Sequence, residues 1–101
     1  MNKKNNKYFE LIKNDETIFL NFLKAKFPVF HNSNFFFRDF QFGIRKFLEK
    51  KGIQVSYSDT EELANMLANH FQNQGLFVPV SSGTWKLNYP EFATKEPGDP
   101  F

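Results

Sequence analysis

Asn69, Gln72 and Asn73 follow Asn65 by four, seven and eight residues, a spacing that stacks all four on one side of a helix. Each carboxamide offers a donor beside an acceptor, and that pair matches the N6/N7 edge of adenine bidentately. The chemistry such a stripe suits is base reading in A·T-rich DNA. It equally suits a plain solvated face in an Asn-rich chain. Glu62 stands on the same face, and Asp59, Glu61 and Glu62 crowd the start of the segment, which carries no Lys or Arg. Carboxylates oppose phosphate, so phosphate contacts, which dominate DNA affinity, must come from elsewhere. The candidates are Lys86, Arg45, Lys46, Lys50 and Lys51, with Lys3, Lys4 and Lys7 near the start of the chain. The acids also have a purely structural reading, because negative charge is favoured at a helix N-terminus.

A second group of interest is "FPVFHNSNFFFRDFQF" (27–42), where aromatic rings crowd around Arg38. Exposed rings beside cations stack single-stranded bases, or anchor protein interfaces. A chain of 101 residues with 15 phenylalanines must also fill its core with them, and core packing is the plainer expectation. Phe35, Phe42 and Phe77, with Phe30, are the candidates for residual exposure and a protein interface.

Catalysis finds little footing. The only histidines are His31 and His70, and His70 has no acid or second histidine at metal-ligand spacing. It reads as a partly buried, hydrogen-bonded residue. The acids form no pair marked out for proton transfer, Ser81 and Ser82 have no base nearby, and no Gly-rich phosphate loop is present. The reading is a non-enzyme without metal or cofactor. Cysteine is absent, which removes disulfides and thiolate sites. Neither a secretory leader nor an apolar run of membrane-spanning length stands out, so a cytoplasmic protein off the membrane is expected.

Net charge is +2 but uneven: residues 1–56 carry eleven Lys/Arg against five Asp/Glu, whereas 57–101 carry two against six. A positive half of this kind suits a polyanion, although Lys, Asn and Phe enrichment also follows from A/T-rich codons. Length indicates one domain.

Helical spacing links Tyr8, Leu11 and Ile12, then Ile18, Phe19, Phe22, Leu23 and Phe27, with Asn14 or Asp15 as a cap between two segments and Pro28 as a stop. Phe37, Phe40, Ile44, Phe47 and Leu48 form one face of a further helix ending at Gly52, with Phe42 off the stripe. Phe35 and Phe36 precede it as a short extended piece. Ser58 with Glu61 matches a capping box for the segment 59–74, whose buried stripe is Leu63, Met66, Leu67, His70 and Phe71, closed by Gly75. "LFVPVSSGTWKLNY" reads as a β-hairpin, with Leu76, Val78 and Val80 on one side and Pro79 on an edge. Residues 90–101 read as an irregular tail.

This order, with "LANHFQNQGLFVPV…WKL", resembles the winged-helix superfamily. The resemblance implies an α+β fold of three to four helices and a C-terminal two-stranded β-hairpin, the wing, over residues 15–89, behind a basic helical segment or arm at 1–14. It implies that the 59–74 helix enters the DNA major groove. The expectation is then a DNA-binding regulator or accessory factor, acting as a homodimer. "DTEELANMLANHFQNQGLFVPVSSGTW" is also loosely similar to DEP domains, which implies the alternative: protein docking through exposed aromatics and the acidic face of that helix. Loss of affinity with rising salt separates the two.

Overall fold

The computed structural model describes residues 3–27, 29 and 31–89. Pro28, Phe30 and the tail 90–101 lie outside the described residues, as do the expectations placed on them. The order is α1 (Lys3–Asn14), α2 (Glu16–Lys26), β1 (Asn34–Phe36), α3 (Phe37–Lys50), α4 (Tyr57–Asn73), β2 (Phe77–Ser81) and β3 (Thr84–Leu87). The class is α+β. The strands form one antiparallel sheet in the order β1-β3-β2. Among the described residues, no helix is long and apolar enough to cross a membrane.

The expected two-stranded hairpin is therefore corrected to three strands. The register explains why. Phe35 lies opposite Trp85, and residues opposite each other in an antiparallel pair share a face. Trp85 is buried, so Phe35 turns inward beside it and is only 2% exposed. The piece 34–36 is thus drawn onto β3 by its own side chain, leaving Phe36 outside.

The same logic corrects the hairpin's facing. Phe77 lies opposite Leu87, and Leu87 is buried, so Phe77 points into the core at 1% exposure while Val78 and Val80 face out. Phe35 and Phe77 are consequently core residues rather than surface anchors. Pro79 sits on edge strand β2, as expected for a residue without an N–H, and a register irregularity between Pro79 and Ser81 distorts the same strand.

Phe40 occupies the centre. Its ring meets Phe19 of α2, Phe35 of β1, Phe71 of α4, Phe77 of β2 and Trp85 of β3, at centroid distances of 5.1 to 6.3 Å and mostly edge to face. Such geometry sets the positive ring edge against the negative face of its neighbour. Ile12, Leu23, Ile44, Leu48, Leu63 and Leu67 complete the core, whereas Ile18, expected inside, is exposed. At Gly43 the helices α2 and α3 approach so closely that an added Cβ would lie 2.5 Å from Leu23 Cδ2.

Phe40→Ala should cost about 3–5 kcal/mol, a large part of a small domain's usual stability. Phe42→Ala, at an exposed site on the same helix, should cost less than about 1 kcal/mol. Urea denaturation of both variants checks the contrast, and equal losses would contradict this assignment of core and surface.

Candidate nucleic-acid interface

The helix that carries the amide stripe begins at a built cap. Ser56 Oγ accepts from the Asp59 backbone N–H at 3.0 Å, and the buried Thr60 hydroxyl donates to the Ser56 carbonyl at 2.8 Å. The cap is thus Ser56, two residues before the expected Ser58, with Asp59 in the first turn. At the far end Gly75 takes a positive φ of 78°. Gly75 N–H donates to Gln72 O and Leu76 N–H to Phe71 O, both at 2.9 Å. This paired closure satisfies the last carbonyls and turns the chain directly into β2.

Three faces follow from this frame. Leu63, Ala64, Leu67, Ala68 and Phe71 enter the core. A second flank meets α1 and the start of α2. There the fully buried Asn5 donates through Nδ2 to Asp59 Oδ1 at 3.2 Å and also to Glu62 Oε1. Lys4 Nζ pairs with Asp59 Oδ2 at 3.4 Å. His70 Nε2 lies 3.0 Å from Glu16 Oε1, with its ring set edge to face on Phe9. His70 is hydrogen-bonded and partly buried, as its place in the apolar stripe leads one to expect.

The third face is open. Asn65, Asn69 and Asn73 are exposed and Gln72 is partly so, together with Ser58 and Glu61. All four amide candidates therefore lie off the core, and two of the three acids at the start of the helix are turned away toward α1.

The basic candidates are dispersed. Lys50 sits over the Phe22 ring of α2 at 5.6 Å. Lys51 pairs with Asp15 at 3.3 Å and covers Phe47. Arg45 and Lys46 clasp Glu49 at 3.4 and 3.3 Å, and the Lys46 hydrogen bond, with Arg45 behind it, holds the Glu49 carboxyl below the usual glutamate range. Lys86 is exposed on the outer face of β3 between Asn34 and Val78. Among the described residues, no three His, Cys, Asp or Glu gather as a metal site would require.

Two features were not anticipated from sequence. One is Asn5, whose amide joins α1 to the acids of α4; an Asn in a basic, Asn-rich segment gives no signal of it. The other is a groove between α3 and the start of α4, lined by Arg38, Gln41, Phe42, Arg45, Tyr57 and Thr60. Its α3 wall has helical spacing on the side away from the Phe40 stripe, and that spacing was open to view. Phe42 is 47% exposed in it, in keeping with its place off the apolar stripe.

No protein-family model, no curated protein sequence and no solved structure matches this chain.

The Asp59 carboxyl is held below the usual aspartate range, first by the Asn5 hydrogen bond and then by Lys4. A depressed folded value means that its stabilising contribution is complete above the unfolded aspartate pKa of about 3.9 and is lost as pH falls through the folded value. Asp59→Asn should therefore be less stable than the parent at neutral pH and equal to it in strong acid. Urea midpoints at both pH values check this, and a gap that persists in acid would contradict it.

Proposed function

We propose that this chain is a non-catalytic winged-helix module that binds duplex DNA, with α4 in the major groove. The order helix, strand, helix, helix, strand, strand and the sheet order β1-β3-β2 support the reading, with the β2–β3 hairpin as the wing. The observation that carries it is the disposition of charge around α4. Asp59 and Glu62 are occupied by Lys4 and Asn5 of α1, so the open face presents amides with Glu61 as its one acid among the described residues.

In this arrangement Asn65, Asn69 and Gln72 read base edges, with Asn73 at the end of the stripe. Carboxamides select adenine because its N6–H and N7 are complementary to their oxygen and nitrogen. Phosphate contacts come from Lys86 on the hairpin that α4 leads into, and from Lys7 on α1, the helix packed against α4; both lysines are exposed. Lys50 and Lys51, engaged with α2 and its cap, take no part. With few cations near the stripe, the affinity is modest and leans on the groove contacts.

Fluorescence anisotropy with A·T-rich and G·C-rich duplexes tests this. Two to four phosphate contacts give a slope of log K against log salt of about −2 to −4. Asn65→Ala and Asn69→Ala should each reduce the A·T preference by roughly 1–3 kcal/mol per lost bidentate pair. Lys86→Ala should weaken every duplex alike and flatten the slope by about one. Absence of binding at micromolar protein and low salt would end the proposal.

A further inference from the structure

The groove between α3 and the start of α4 has no part in the DNA reading and does not depend on it. Arg38, Gln41, Phe42 and Arg45 form one wall, and Tyr57 and Thr60 the other, around about 310 Å³. This is the lower end of the range of about 300–1,000 Å³ for ligand pockets, enough for one or two side chains.

Its lining is unusual in two respects. Gln41 is only 8% exposed, and its Nε2 is buried without a hydrogen-bond partner among the described residues. A buried amide left unsatisfied is costly, so a group that supplies its partner gains what the fold forgoes. The rings of Phe42 and Tyr57 stand 47% and 70% exposed at the same place, although both are large enough to favour burial. Arg38 is exposed and pairs with no acid among the described residues, and Arg45 has the exposed Glu49. Tyr and Arg around a desolvated centre are the residue types that dominate binding energy in protein interfaces.

The geometry points to a docking groove for an extended acidic segment of a partner protein, in which one apolar side chain is flanked by two carboxylates. Arg38 and Arg45 are two helical turns apart, about 10.5 Å along the axis. An extended chain advances about 3.3 Å per residue, so carboxylates about three or four residues apart reach both guanidinium groups. Residues at i, i+2 and i+4 of such a chain share one face, which puts the apolar side chain between Phe42 and Tyr57.

The Gln41 amide then pairs with a peptide group. A peptide bond supplies both an acceptor and a donor, so it satisfies the carboxamide in either orientation. The face of the Phe42 ring is in addition covered by Lys46 Nζ at 5.3 Å from its centroid, which takes it from a stacked base. This cover favours the peptide over a nucleic-acid strand.

The probe is the acetylated heptapeptide Gly-Glu-Ser-Phe-Ser-Glu-Gly, titrated into ¹⁵N-labelled full-length chain. The expected result is saturable movement of the Gln41 side-chain amide resonances and of the Arg38, Tyr57 and Thr60 backbone amides. Arg38→Ala should weaken binding roughly tenfold, as loss of a charge-assisted pair implies. Gln41→Met should weaken binding too while leaving urea stability equal or higher, because an orphaned polar atom is replaced by an apolar one of similar shape. Three results would each overturn the proposal: no saturable shift, equal affinity for the peptide with lysines in place of its glutamates, or displacement of the peptide from these residues by single-stranded oligothymidylate.

Discussion

The fold depends on one ring. Phe40 touches aromatic side chains from α2, β1, α4, β2 and β3, so two helices and all three strands of the sheet share a single nucleus. Edge-to-face aromatic packing is directional as well as hydrophobic. Each neighbour therefore fixes the orientation of Phe40 and is fixed by it. Phe19, stacked on Phe71 at 6.3 Å with an interplanar angle of 6°, ties α2 to α4 through the same cluster. The abundance of phenylalanine, whatever its codon origin, is used structurally here. A core built from such large, stiff side chains leaves few positions open to quiet substitution.

α1 sends Ile12 into the core, and it has a second task. α1 closes over a polar flank of α4, where Asn5 and Lys4 engage Asp59 and Glu62. The buried Asn5 amide donates to two acids at the start of α4, where negative charge also suits the helix dipole, while its Oδ1 has no hydrogen-bond partner among the described residues. Electrostatics at the start of the helix and attachment of α1 are thus one arrangement. Its consequence for the surface is a division of α4 into a core face, an α1-facing acidic flank and an open amide face.

Much of the architecture was legible in the sequence because periodicity reports burial directly. The stripe of Phe40, Ile44, Phe47 and Leu48, the closing role of Gly75 and the edge position of Pro79 all follow from residue type and spacing. What failed were features set by pairing across space. Phe35 and Phe77 look alike from sequence whether they face in or out, and only their register against Trp85 and Leu87 decides. The cap was misplaced by two residues because "SYSDTE" contains two serines, each followed three residues later by an acid. At the candidate interface the exposed amides were readable from helical spacing. The dispersal of Lys50 and Lys51 toward α2 was not, since a lysine's long arm reaches neighbours that local sequence does not name.

The sheet has two borders, and each is closed to further growth in its own way. β1 is only three residues long, too brief to template another ladder. β2 lacks an amide hydrogen at Pro79 and loses regular pairing beyond it, which blunts its outward row of donors and acceptors. Both borders therefore disfavour strand-to-strand joining of folded copies. A chain this rich in aromatic residues is thereby guarded, once folded, against edge-to-edge association.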